Sequence, residues 1–401
     1  MRQVASCIIS LFLLATAIPT SAGEVISETI EWGRSWTLES KILGEERTIL
    51  VSTPDTYENG DAHYPVLYLT DARGAFKHAS ATADFLARTG RMPEMIVVGV
   101  TNTDRNRDLT PTRATMTRPD GSQARFPNSG GADKFLEFFS TELMPFVEST
   151  YRTQPFEILA GHSLGGLFAT HTLLTRPELF GAYIVVSPAL PWDNELMLRK
   201  AREAFSAQDH LRSTLVLTVG DEPRLHESFE RFESFLESTT MPGFHWTVQR
   251  FADEDHRSVV LPSYYLGLRK VFEGWMMPKD ENTGVVLAGF ETLRQHYIGL
   301  STRFGYEISP PERQIDRLGR QSLRGGEIES AIKIFHYYVS QYPGSSSAHS
   351  GLGSALERQG KLEEALHSHK KALELAENLG GARLNKLQET IKRLEGQLKL
   401  R

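Results

Sequence analysis

The chain has 401 residues, of which 40% are hydrophobic and 23% charged, with a formal net charge of −6. That length exceeds one ordinary domain, and the composition is that of a folded soluble protein, not of a disordered chain or a membrane bundle. The acidic balance excludes a general nucleic-acid binder, which would carry a basic face.

In chain order, the first predicted element is a leader. Met1-Arg2 supplies a short positive start, Ile8–Ile18 is an apolar run, and Thr20-Ser21-Ala22 places small residues at a cleavage site. A membrane span would need about 20 apolar residues, so residues 1–22 are expected to be a secretory signal peptide. The mature chain is then periplasmic or secreted, with no membrane span. Cys7, the one cysteine, precedes the apolar run, which is the wrong place for lipid attachment. The mature chain keeps no cysteine, so export is compatible with an oxidising compartment but no disulfide can contribute to stability.

From residue 24 to 278, β-rich runs alternate with helical patterns. "YPVLYLT" (64–70), "EMIVVGVTN" (94–102), "FEILAG" (156–161), "AYIVVS" (182–187), "TLVLTVG" (214–220) and "HWTVQRF" (245–251) are the predicted strands. Several are near-continuous apolar runs, as expected where helices cover both faces of a mainly parallel sheet. "GGADKFLEFFSTELMPFVESTY" and "ESFERFESFLEST" carry apolar residues at helical spacing. The fold class is therefore α/β, with right-handed crossovers.

A linker and a helix are expected over 279–311, the helix spanning roughly 285–303. After them the sequence repeats itself: Leu318-Gly319 recurs as Leu352-Gly353, Gly326 as Gly360, and Ala331 as Ala365. This 34-residue period, with small residues where paired helices approach, resembles the tetratricopeptide repeat. Two units are predicted, 312–345 and 346–379, closed by a capping helix over 380–401. Such repeats suit a protein partner, self-association, or packing against the preceding domain.

The chemistry centres on "EILAGHSLGGLFATHTLL" (157–174). A hydroxyl needs activation to act as a nucleophile at neutral pH. In a nucleophile elbow a strand turns abruptly into a helix, and the residues flanking the serine must be small, as Gly161 and Gly165 are here. An apolar strand precedes Ser163 and a helical pattern follows it, so Ser163 is the expected nucleophile. The base should follow in chain order after the acid. His162 diverges from the serine as its immediate neighbour, and His245 opens a strand. His256, in the loop "ADEDHRS", is the candidate base. The acid is expected just after "TLVLTVG", where Asp221 and Glu222 are adjacent, and spacing leaves the choice between them open.

These stretches, together with "VLYLTDARGAF", "TNTDRNRDLTPT", "VVSPALPWDN" and "DEDHRSVVLPSYYLGL", resemble the esterase family of α/β-hydrolases. That family includes siderophore (enterobactin-type) esterases, S-formylglutathione hydrolase and the mycolyltransferase antigens. The resemblance covers most of residues 40–275. It extends to an arrangement in which an exported esterase domain precedes tetratricopeptide-like repeats. The resemblance implies that Ser163 is the nucleophile and His256 the general base. It favours Glu222 as the acid, because siderophore esterases place a glutamate before a proline. It implies an oxyanion hole built from the backbone N–H groups of Leu164 and Arg73, although the family's Asp-Gly-X reads Asp71-Ala72-Arg73 here.

Trp192 follows a strand end and fits either a pocket wall that binds substrate or a structural aromatic. Arg105 and Arg107, with Arg113, Arg118 and Arg125, suit an anionic substrate. Asp104, Asp108 and Asp120 interleave with them, which favours an internally paired loop. The expected activity is hydrolysis of a small-molecule carboxylic ester through an acyl-enzyme, including siderophore-type esters, with no metal or organic cofactor. The rivals are acyl transfer by the same three residues and an interaction protein whose hydrolase domain is silent.

Overall fold

The computed structural model describes residues 27, 29, 31–117, 123–277, 289–376 and 381–400. The predicted signal peptide, Arg118, Asp120 and most of the predicted linker lie outside the described residues. The chain divides into two units, Met1–Trp32 and Gly33–Arg401, and every element below belongs to the second.

The strands are β1 (Arg34–Ser40), β2 (Glu45–Ser52), β3 (Tyr64–Leu69), β4 (Ile96–Val100), β5 (Thr115–Thr117), β6 (Gln123–Arg125), β7 (Thr153–His162), β8 (Ala182–Val186), β9 (Ser213–Gly220) and β10 (Phe244–Phe251). Strands β5 and β6 form a separate hairpin, and the other eight form one sheet in the order β1-β2-β4-β3-β7-β8-β9-β10. From β4 to β10 every pairing is parallel. The β1–β2 and β2–β4 pairings are antiparallel. The six predicted strands all lie in the parallel part. The β1–β2 edge was not predicted, because one of its faces meets solvent and "RSWTLES" carries little apolar signal.

The helices are α1 (Ala72–Arg88), α2 (Arg105–Asp108), α3 (Ala132–Phe138), α4 (Met144–Thr150), α5 (Leu164–Thr175), α6 (Trp192–Ser206), α7 (Pro223–Glu237), α8 (Val260–Val271), α9 (Phe290–Phe304), α10 (Glu312–Arg324), α11 (Ile328–Gln341), α12 (Ser346–Arg358), α13 (Leu362–Glu374) and α14 (Gly381–Lys399). The single helix suggested by "GGADKFLEFFSTELMPFVESTY" is α3 and α4 joined through a π-helical turn at Phe139–Leu143. Among the described residues no helix is long and apolar enough to cross a membrane.

Strand periodicity sorts the core into two layers. Tyr183 and Val185 of β8 face one layer with Phe135, Phe168 and Trp192. Ala182, Ile184 and Val186 face the other with Ala79, Tyr264 and Phe304. Both faces are covered, so all five β8 side chains are buried. Burying each large one stabilises the fold by about 1.5–3 kcal/mol.

The C-terminal helices form an all-helical region. Helix α10 begins 34 residues before α12 (312 and 346), and α11 begins 34 before α13 (328 and 362). Helix α9 docks this region onto the sheet domain. The Phe304 ring lies 4.9 Å from Phe156, 5.1 Å from Phe272 and 5.8 Å from Trp275. Arg303 donates to the Val271 carbonyl at 2.8 Å, and Arg212 donates to the Thr302 carbonyl. Phe156 lies in the first half of β7, and Arg212 precedes β9. The docking site is therefore at the end of the sheet where parallel strands begin.

Candidate active site

The opposite end of the sheet, where parallel strands stop, is where a doubly wound fold gathers its site. Ser163, Ser187, Glu222 and His256 follow β7, β8, β9 and β10, and Asp71 and Asn102 follow β3 and β4.

Ser163 has φ 60° and ψ −114° at the junction of β7 and α5, a conformation that costs a non-glycine residue of order 1–3 kcal/mol. Neighbouring backbone holds it there. Its N–H donates to Val186 O at 2.9 Å, and its carbonyl accepts from Leu167 N at 2.9 Å and Ala189 N at 3.1 Å. The small flanking residues are obligatory: a Cβ on Gly161 would meet the Gly165 carbonyl oxygen at 2.2 Å, and one on Gly165 would meet Thr70 Oγ1 at 2.2 Å. Helix α5 is buried on all sides from Gly165 to Leu174, so the elbow rests on a central, fixed helix.

His256 Nε2 lies 3.0 Å from Ser163 Oγ. Its Nδ1 meets Glu222 Oε2. Asp255 shapes the loop that carries it, its Oδ1 accepting from Arg257 N at 2.7 Å and Ser258 N at 2.9 Å. No cluster of three or more His, Cys, Asp or Glu side chains suited to a metal occurs among the described residues.

The two candidate acids separate cleanly. Asp221 points outward with its side chain 65% exposed. Glu222 is 9% exposed. Burial pushes the Glu222 carboxyl up, but bonds from His256, Ser187 and the Gly220 N–H outweigh it and hold the group below its ordinary range. Glu222 therefore faces the imidazole as a carboxylate.

His162 stays neutral. Burial first, and then the charge of His256, lower its pKa to about 4, and its ring lies 4.5 Å from that of His256.

Leu164 and Arg73 occupy the first turns of α5 and α1. Neither N–H donates to a protein acceptor among the described residues, so both are available to a developing negative charge. Asp71, immediately before α1, takes a left-handed φ of 57°. Arg105 holds it through Nε at 2.6 Å and NH2 at 2.9 Å, and the same NH2 donates to His162 O at 3.2 Å.

Two of the substrate-binding candidates are taken up by protein partners, as the internally paired loop and the structural aromatic would have it. Arg107 is tied to Glu45 at 2.6 Å and to Asp108 at 2.7 Å, so it braces a loop and offers no free charge. Trp192 is 1% exposed, with its indole N–H on Thr112 Oγ1 at 3.2 Å. It is packed against Phe126 and presents no surface to a ligand. Arg105 does border the site, but its guanidinium is committed to Asp71 and the elbow. Sequence reasoning missed Ser187 altogether. A lone serine in "VVSPAL" carries no motif, and only its contact with Glu222 marks it.

Residues 40–255 match the family model described as "Putative esterase". The match ends one residue before His256. The ferri-bacillibactin esterase BesA of Bacillus subtilis is 33% identical over 202 residues, covering 46% of this chain and 69% of that protein. The siderophore enterobactin esterase of Emericella nidulans is 30% identical over 284 residues, covering 58% of this chain and 91% of that protein. Among solved structures, an IroE-like serine hydrolase from Shewanella oneidensis superposes with a TM-score of 0.65 at 28% identity, covering 77% of this chain and 99% of that one.

Proposed function

This chain belongs to the esterase family and is a carboxylic ester hydrolase, and from that premise we propose that it is an exported serine esterase whose catalytic residues are Ser163, His256 and Glu222. The observation that carries this reading is a single relay. Ser163 Oγ, on a strained elbow, lies 3.0 Å from His256 Nε2, while Nδ1 of the same ring meets the buried Glu222 carboxylate.

Ser163 Oγ attacks the ester carbonyl carbon, and Nε2 accepts the hydroxyl proton. Glu222 holds the ring in the tautomer that leaves Nε2 free and stabilises the imidazolium that forms. The negative charge on the former carbonyl oxygen is met by the Leu164 and Arg73 N–H groups, each worth about 3 kcal/mol to the transition state. Collapse expels the alcohol, which takes its proton from Nε2 and leaves an acyl-serine. Water attacks that ester, again with Nε2 as base, and releases the acid and free Ser163.

The relatives named for ferri-bacillibactin and enterobactin support siderophore-type esters as the substrate class. We assign residues 1–22 to a cleaved leader, and the two 34-residue helix pairs to tetratricopeptide-like repeats that meet a protein partner or a second copy.

The test is hydrolysis of p-nitrophenyl esters of graded acyl length and of a catecholate triester by the mature chain, beside Ser163→Ala and fluorophosphonate labelling. Turnover and labelling are expected in the parent and absent in the variant. A Ser163→Ala protein with full activity would sink the reading. An acyl-acceptor product replacing the free acid, when an alcohol is added, would make the chain an acyltransferase.

A further inference from the structure

Three contacts converge on the end of β8 and the residues just after it. Val186 O accepts the Ser163 N–H at 2.9 Å, and Ala189 N donates to Ser163 O at 3.1 Å. Between them the Ser187 hydroxyl donates to Glu222 Oε1. One stretch of four residues thus grips the backbone of the proposed nucleophile and the side chain of the proposed acid. The segment is itself anchored by Ser187 N–H to Thr218 O at 2.7 Å, on the strand that leads to Glu222.

The two oxygens of Glu222 then have distinct partners. Oε1 accepts from Ser187 and, at 3.3 Å, from Gly220 N–H. Oε2 is left to His256 Nδ1. A carboxylate pinned at one oxygen can offer only the other to the imidazole, which fixes the ring's tautomer and aims Nε2 at Ser163.

Ser187 is fully buried, and its φ of 41° is left-handed. Glycine would adopt that backbone without strain. A serine kept there in spite of the strain supplies the hydroxyl that glycine lacks.

We infer that Ser187 is a positioning residue for the esterase reaction, holding Glu222 in the one orientation that presents Oε2 to His256; this rests on the Ser163–His256–Glu222 reading. Ser187 touches neither substrate nor the reacting atoms. Its effect passes through Glu222 and His256.

Ser187→Gly is the decisive variant, because it deletes the hydroxyl while accommodating the backbone, and Ser187→Ala deletes the hydroxyl with the strain retained. Both are expected to lose about ten- to a hundredfold in kcat on p-nitrophenyl acetate, the worth of a hydrogen bond to a charged group. KM should hold within about twofold, since no substrate contact is removed. The low-pH limb of kcat/KM should move upward, because Glu222 loses one of the bonds that hold its carboxyl below the ordinary range. In a Glu222→Ala background, Ser187→Gly should cost nothing further. Wild-type kcat and an unmoved limb in Ser187→Gly would overturn the inference, as would full additivity with Glu222→Ala. If Ser163→Ala is dead while Ser187→Gly is normal, only this inference fails. If Ser163→Ala is active, the three-residue reading itself fails.

Discussion

The end of the sheet that carries the proposed site and the helical stack at the C-terminus differ most in where they keep strained backbone. All six non-glycine residues with positive φ among the described residues lie in the sheet domain, at Asp71, Ser163, Ser187 and Asp193–Glu195. The first three surround the proposed site. In the helical region positive φ is confined to glycine, at Gly305, Gly326 and Gly360, each just past a helix, where a left-handed residue closes the last turn at no steric cost. The helical stack uses the relaxed solution. The end of the sheet that carries the proposed site imposes awkward torsions on polar residues and relies on long-range contacts to keep them there. Those contacts are costly to lose, and five perturbations beyond the Ser187 series can break or sharpen the contrast.

The largest effect is expected at the elbow. Ser163→Ala should lower kcat by at least about ten-thousandfold, with an unchanged melting temperature or a slight rise, since the strained hydroxyl contributes chemistry and not stability. A melting temperature several degrees lower would mean that Ser163 is structural and would erase the contrast.

Next is the junction between the two regions. Phe304 is 4% exposed among Phe156, Phe272 and Trp275. Phe304→Ala should destabilise the chain by about 3–5 kcal/mol, measured by urea unfolding. kcat per folded molecule should stay near wild type, because the docking face is at the far end of the strands from Ser163. Loss of kcat in a folded variant would show that the helical stack acts on the site.

The strand interior carries a pH-dependent liability of its own. Glu157 lies in β7, and its carboxyl accepts from Tyr68 OH at 3.0 Å. Burial raises its pKa to about 8, against a smaller lowering by the Tyr68 bond. The folded chain therefore holds a proton that the unfolded chain releases from the ordinary carboxylate range upward. That stabilisation is complete below about pH 4.5 and is lost as the pH rises through 8. Glu157→Gln keeps an acceptor for Tyr68 and does not ionise. It should flatten the decline in unfolding free energy between pH 5 and 8, by about 2–3 kcal/mol. Parallel pH profiles for variant and wild type would refute this assignment.

In the stack, closeness matters more than charge. A Cβ on Gly319 would meet the Phe335 ring at 2.7 Å. Gly319→Ala gains helix propensity but must displace that ring, for a net loss of about 1–2 kcal/mol. Ester hydrolysis should be unaffected. The smallest effect is expected at Asp221, whose exposed carboxylate contributes nothing to the relay. Asp221→Asn should change kcat by less than about twofold on aryl esters, while Glu222→Gln should reduce it far more. Equal losses at the two positions would reopen the choice of acid.

Much of this was legible in the sequence wherever the signal is local. The six parallel strands show as apolar runs because both their faces are buried, and the 34-residue spacing of the helix pairs shows as recurring small residues. Ser163 stood out because glycines are forced wherever strand and helix nearly touch, a demand written within a few adjacent positions. The order of elements placed His256 in a loop after the last strand. Tertiary structure decided the rest. Asp221 and Glu222 are neighbours in sequence, but the turn after Gly220 sends one carboxylate to water and the other beneath the imidazole. Arg107 was drawn to Glu45, and Trp192 went into the core. Ser187 acquired its partner 35 positions away. Periodicity and propensity are properties of adjacent residues, whereas the direction of a side chain at the end of a strand is set by which distant strand lies beside it.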